Sequence, residues 1–297
     1  ESYAYANVPY RIKTYAEIVA DPKNSINFDD ETHKRVLGMV PSYGVDAKLI
    51  LDKNQNVVLA TFTEKVLVTF LAKMSNFIPG AGIWMNTLRP EWNDANNALV
   101  GYGTSMVTLY YMRRFVNFLA KMYGKSTEKQ FHVSAEVAGL LEGIYNTLKA
   151  NEGSVAKIDD KLRKQIVDAL GKAGETYRCS VYKGFSGNKK DISAEDLQAF
   201  FAVVVKFIDQ SIKENKMKNG MYHAYNTISF SENGIKVSNL YEMLEGQVSV
   251  LSSGKLSPKE VVELLDAMRQ SALYRADQFS YTLYPNKRLP LFLEKNV

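Results

Sequence analysis

Asn97-Ala98-Leu99-Val100-Gly101-Tyr102-Gly103-Thr104-Ser105-Met106-Val107-Thr108-Leu109-Tyr110-Tyr111-Met112-Arg113-Arg114-Phe115-Val116-Asn117-Phe118-Leu119-Ala120-Lys121-Met122-Tyr123 is the longest apolar segment of the chain. Leu99, Met106, Leu109, Tyr110, Phe115, Phe118, Leu119 and Met122 cover almost the whole circumference of a helix. A helix that is apolar all round is buried on all sides. Leu197, Phe200, Phe201, Val204, Phe207 and Ile208 predict a second such helix, opened by Ser193 with Asp196. Val155, Ile158, Leu162, Ile166 and Leu170 instead form a single stripe, which puts their helix on the outside. Inner helices covered on both sides, alternating with outer helices wet on one side, describe a two-layer helical array. A toroid and a solenoid both satisfy that pattern.

Working outward, Lys65 to Asn76 carries Val66, Leu67, Phe70, Leu71 and Met74 at helical spacing, behind a capping box of Thr61 and Glu64. Phe131 to Leu148 follows a second box, Thr127 and Gln130. Ser257-Pro258-Lys259-Glu260 is the strongest helix start, with serine at the N-cap, proline at N1 and glutamate at N3. Two β-hairpins interrupt the helices. One spans 48–60 around Lys53-Asn54-Gln55-Asn56; the other spans 227–237 and turns at Asn233-Gly234, a pair that tolerates positive φ. The expected fold is therefore all-α: an (α/α) helical-hairpin toroid, or most of one, in a single domain over 1–297 with two small β-hairpins. About eight helices are firm, against about twelve in a six-hairpin toroid. The start at Glu1-Ser2-Tyr3 without methionine and the apolar end Leu289 to Glu294 add to the expectation of a piece of something longer.

Composition narrows the function. In 297 residues, 46% apolar and 23% charged content excludes wholesale disorder. Lys+Arg exceed Asp+Glu by five, and the densest basic run, Lys213, Lys216 and Lys218, reads as a solvated helix end, so no nucleic-acid partner is expected. No apolar run is long enough to span a membrane, and none is expected as a partner. One cysteine, Cys179, excludes an internal disulfide framework. His33, His132 and His223 lie far apart, which argues against a His-rich metal centre, and no cofactor is expected. Localisation cannot be read from the chain. Asp52-Lys53-Asn54-Gln55-Asn56 begins like a calcium loop, but Val57 and Thr63 stand where a glycine and a bidentate glutamate belong. A hairpin turn is the better reading.

The least helical and most polar-aromatic stretch runs from Gly80 to Asn97. It holds both tryptophans, Trp84 and Trp92, together with Asn86, Arg89, Glu91, Asn93 and Asp94. Long irregular loops carry function more often than packing. Trp faces stack on sugar rings, Asn and Arg bond hydroxyls, and a carboxylic acid can protonate a leaving oxygen. The bland alternative makes Asp94 the N-cap of the long buried helix, with Asn97 at N3.

Glu91-Trp92-Asn93-Asp94 resembles the Asp-Trp-Asn-Asp segment of cellobiose phosphorylases and their relatives, sugar-processing enzymes built on the (α/α)6 toroid. In that family the last aspartate, here Asp94, is the general acid that protonates the glycosidic oxygen. Trp92 and Asn93 match, while Glu91 departs from the family's aspartate. The wider run Arg89 to Gly101 is similar to uncharacterised bacterial proteins thought to share the toroid. The close motif covers four residues, and the fold-level similarity extends over the chain. The resemblance implies a glycoside or oligosaccharide substrate, with hydrolysis or phosphorolysis as the reaction and phosphate as a partner in the second case.

Acid chemistry on a glycoside needs a second carboxylate or an external nucleophile. Glu245, among apolar residues and beside Gly246, is the candidate, because apolar surroundings raise a carboxyl pKa. His223 in Tyr222-His223-Ala224-Tyr225 is a candidate to line the same cleft. The expected assignment has Asp94 and Glu245 catalytic, with Trp84, Asn86, Arg89, Glu91, Trp92, Asn93 and His223 binding substrate. The alternative is a carbohydrate-binding or helical scaffold module without catalysis.

Overall fold

The computed structural model describes residues 2–87, 94–285 and 290–295. Its helices are α1 (Tyr15–Ala20), α2 (Asp30–Tyr43), α3 (Phe62–Met74), α4 (Asp94–Leu99), α5 (Met106–Gly124), α6 (Ala135–Ala150), α7 (Asp160–Tyr182), α8 (Ala194–Glu214), α9 (Leu244–Ser252), α10 (Pro258–Gln270) and α11 (Phe292–Lys295). Four antiparallel strand pairs decorate them. They are β1 (Tyr3–Ala4) with β4 (Leu59–Ala60), β2 (Tyr10–Ile12) with β3 (Ile26–Phe28), β8 (Gln130–Ser134) with β9 (Lys189–Ser193), and β12 (Tyr274–Arg275) with β13 (Ser280–Tyr281). A fifth sheet joins β5 (Phe77–Ile78), β6 (Gly82–Trp84), β7 (Gly103–Ser105), β10 (Tyr225–Ser231) and β11 (Gly234–Asn239) in the order β11-β10-β7-β6-β5.

The protein is 54% helical and 18% strand, and the five-stranded antiparallel sheet curls into a half-barrel. The fold is thus mixed α and β, which overturns the expected all-α toroid. The reason lies in strand length and glycine. β5, β6 and β7 have two or three residues each, all buried. They are too short to show period-2 alternation, so β6 reads as part of the irregular Gly80–Asn97 stretch and β7 as part of the long helix from Asn97. Gly82 (φ +116°) and Gly101 (φ +91°) take conformations that side chains rarely adopt, and a Cβ on Gly82 would lie 2.7 Å from the Ser105 carbonyl oxygen. The single long helix expected from Asn97 therefore breaks. α4 ends at Leu99, the chain turns through Gly101 into β7, and α5 starts afresh with Ser105 as N-cap, its side chain accepting from Thr108 N–H at 3.0 Å.

Other starts divide in the same way. Ser193 caps α8, and Ser257 with Glu260 forms a full capping box on α10. The Thr127–Gln130 box does not form. Residues 130–134 pair with 189–193 as strand, and α6 begins after Ser134, whose side chain accepts from Val137 N–H. Asp52 Oδ1 accepts from Asn54 N–H and Asn56 N–H at 2.8 and 2.9 Å, so this segment is an Asx-type turn. The Asn233-Gly234 hairpin forms, but β10 is paired to β7 on its other side.

The main core runs between the helices, with α5 against α8 and α9, and α6 against α7, α3 and α8. Leu67, Phe70, Leu109, Tyr110, Ile144, Phe200 and Phe207 are among its buried members. α8 buries ten residues, as its all-round apolar pattern predicts, but α5 leaves Tyr111 and Phe118 exposed. A smaller core of Tyr15, Ile18, Ile78, Trp84, Ile228 and Ile235 lies under the sheet. No helix of the described residues is long and apolar enough to cross a membrane.

Candidate active site

The Gly80–Asn97 stretch contains β6 and the start of α4, and the described residues flanking β6 and β7 are firmly held. Met85 N–H donates to Gly103 O at 2.9 Å, and Gly101 N–H donates back to Met85 O at 2.7 Å. Trp84 Nε1–H donates to Gly101 O at 2.9 Å, and its ring packs on Phe230 with centroids 4.9 Å apart. At 3% exposure the Trp84 indole is a pillar of the loop rather than an open sugar platform. Asn86 is also committed to the fold. Its Nδ2–H donates to Asn76 Oδ1 at 2.7 Å, and its Oδ1 accepts from Thr87 Oγ1 at 3.3 Å. Arg89, Glu91, Trp92 and Asn93 lie outside the described residues. Asp94 opens α4, and its side chain also lies outside them.

The descending limb of the loop leads to the other half of the candidate site. β7 pairs with β10 in the register Ser105↔Tyr225, Thr104↔Asn226 and Gly103↔Thr227. Ile228 N–H donates to Tyr102 O at 2.8 Å, just below α4. A buried amide network locks this junction: Asn226 Nδ2–H donates to Ala81 O and Asn215 Oδ1, and Asn226 Oδ1 accepts from Asn239 Nδ2–H, each at 2.8 Å. Buried amides satisfied this fully fix one geometry.

Tyr225 is buried and hydrogen-bonds Glu245 in the first turn of α9. Burial pushes the Glu245 carboxyl above the usual range, and the Tyr225 bond only partly offsets this. Gly246 lets the helix approach: a Cβ there would lie 3.0 Å from Ala224. Gln247 clamps the same turn, accepting from Tyr222 N–H and donating to Tyr222 O, both at 2.8 Å. His223 Nδ1 lies 2.7 Å from Leu240 O. A carbonyl only accepts, so Nδ1 carries the proton and Nε2 keeps a lone pair in the neutral ring. Burial holds the His223 pKa below its ordinary value, against the opposing pull of the Leu240 carbonyl and Glu242.

Glu245 thus sits in the first turn of α9 and His223 two residues before β10, the strand that pairs with β7. The structure gives Trp84 and Asn86 to packing. Tyr225 belongs to the Tyr222–Tyr225 run expected beside Glu245, but its bond to Glu245 is not legible in the sequence. Its strand position opposite Ser105 carries no local signal, because the pairing spans more than a hundred residues. Among the described residues, no group of three His, Cys, Asp or Glu side chains is placed to hold a metal ion. Compared with known protein families and with curated protein sequences, the chain matches none.

Proposed function

We propose that the chain cleaves glycosidic bonds, with Asp94 as the proton donor to the leaving oxygen. In this reading Trp92 stacks on a sugar ring, Arg89, Glu91 and Asn93 bond its hydroxyls, and Glu245 with His223 lines the opposite wall. The reaction breaks the bond between the anomeric carbon and the glycosidic oxygen as that oxygen takes the Asp94 proton. A water oxygen bonds to the anomeric carbon, and Glu245 takes the water's proton. With phosphate as the nucleophile no base is needed, and Glu245 then only lines the site. The observation that carries the reading is the pairing of β7 with β10. It sets the strand that α4 feeds beside the strand head whose Tyr225 holds Glu245. Burial raises the Glu245 carboxyl above its ordinary value, the direction that favours a proton-exchanging role.

The test is Asp94→Asn, which keeps shape but has no proton to give. Turnover of a glycoside with a poor leaving group should fall by roughly two orders of magnitude or more, while sugar binding persists. An Asp94→Asn variant of undiminished activity would refute the mechanism. The second reading is a sugar-binding module without catalysis, though the commitment of Trp84 and Asn86 to packing takes two expected sugar contacts from either reading. Binding of oligosaccharides with no turnover of any by the unaltered chain would establish the second.

A further inference from the structure

A cleft of about 230 Å³ opens between the end of α3 and the middle of α7, lined by Lys73, Ser75, Asn76, Thr87, Tyr177 and Arg178 over apolar flanks. Two of these residues are cations, and none of the described residues lining it is a carboxylate. Arg163 donates to Pro79 O, Ile235 O and Asp160, and Arg113 to Asp209 and Ser253 O. Arg11 is held by Asp29 and Thr32. Arg178 differs: its Nε is buried and has no hydrogen-bond partner among the described residues. Glu175, one turn earlier, accepts from Tyr15 N–H at 3.1 Å and acts on Arg178 through its charge without hydrogen-bonding it.

The remaining groups leave the two cations to act. Ser75 Oγ–H and Asn76 Nδ2–H both donate to Ala72 O, at 2.9 and 3.1 Å, which quiets the negative end of α3 where it meets the cleft. Gly174 makes room for the guanidinium to lie along its own helix, since a Cβ there would be 2.8 Å from Ser75 Oγ and 3.1 Å from Arg178 Nη1. A planar guanidinium fork beside an ammonium matches the geometry and charge of a carboxylate or phosphate group.

We propose that this cleft binds a small oxyanion, a phosphate or a carboxylate, gripped by Arg178 and assisted by Lys73. Thr87, which lines the cleft, comes just before, in sequence, the residues proposed to bind sugar. An anionic group there is either a free ion or the charge on an acidic sugar. The proposal does not depend on glycoside cleavage, and a binding measurement tests it without turnover.

The experiment is calorimetric titration of the whole chain with inorganic phosphate, acetate, glucose 6-phosphate and glucuronate, with glucose as the uncharged control. Saturable binding of at least one of the four anions and none of glucose is expected. Arg178→Met should weaken it about tenfold or more, as loss of charge-assisted bonds implies, and Lys73→Met by less. Tighter binding of the sugar anions would assign the cleft to an acidic sugar, and tighter inorganic phosphate would assign it to the free ion. Absence of saturable binding for all four overturns the proposal, as does equal affinity in both variants. Should circular dichroism show Arg178→Met unfolded, Lys73→Met and Arg178→Lys decide: weakened affinity supports the site, and unchanged affinity in both overturns it.

Discussion

Replacing Trp84 with Phe separates a pillar from a platform. The Trp84 indole donates its N–H to Gly101 O at 2.9 Å inside the protein, and its ring rests on Phe230. Phenylalanine keeps the aromatic contact but leaves the Gly101 carbonyl without that donor, at a cost of about 1–3 kcal/mol. The lost ring volume of roughly 40 Å³, at about 24 cal/mol per Å³ of residual cavity, adds about 1 kcal/mol. The expected loss of stability is therefore about 2–4 kcal/mol, a large share of the total for an ordinary domain. Urea unfolding measures it as a lower midpoint at unchanged slope. Limited proteolysis supplies a second readout, because the indole ties the two ends of the 85–102 connection, and cleavage there should speed up. A stability change within about 0.5 kcal/mol, the range of an ordinary surface substitution, would refute this reasoning. If sugar affinity fell at the same time, the ring would be a stacking face after all.

Two further predictions follow from a buried and a half-buried carboxylate. Glu64 is buried and accepts from Tyr5 OH at 3.0 Å and Ser134 N–H at 2.9 Å, tying α3 to the amino-terminal segment and to the start of α6. Glu64→Ala should cost about 1–3 kcal/mol for each of Tyr5 OH and Ser134 N–H left unpaired, besides the contact with Lys189 Nζ at 3.4 Å, and a urea midpoint equal to that of the unaltered protein would contradict this. Glu245 has a carboxyl raised by burial, so the folded state binds its proton more tightly than the unfolded one. Stability should thus fall as pH rises from the ordinary carboxylate value through the raised one, because ionised Glu245 is disfavoured in the fold. Glu245→Gln should remove that segment of the pH–stability curve and be relatively more stable at neutral pH. Superimposable curves for the two proteins would refute the assignment.

Much of the helical layer was legible because its signals are local. Ser193 and Ser257 announce their helices through one side chain reaching three residues ahead, and the α8 apolar pattern survives packing intact. The sheet was not legible, because its information is distributed. Ile83 finds its neighbour at Ser105, and Ser105 finds its own at Tyr225. Glycines at 82 and 101 permit the turns without specifying which strands they serve. The same limit applies at the site. Glu245 stood out by its apolar surroundings, but the Tyr225 hydroxyl that bonds it is set by a strand pairing across the chain. Trp84 and Asn86 looked available because aromatic and amide groups in a glycine-rich loop serve packing and recognition with the same atoms. Only their partners, Gly101 O and Asn76 Oδ1, reveal which role they take.

The central claim is that the Asp94 limb and the Glu245 corner face one another across a single site. Spin labels at positions 94 and 245, in a Cys179→Ser background that removes the one native thiol, measure this directly. The account predicts strong dipolar broadening from a separation under about 15 Å, roughly twice the carboxylate spacing of an inverting glycosidase. Spectra equal to the sum of the two singly labelled proteins would place the residues apart and contradict it.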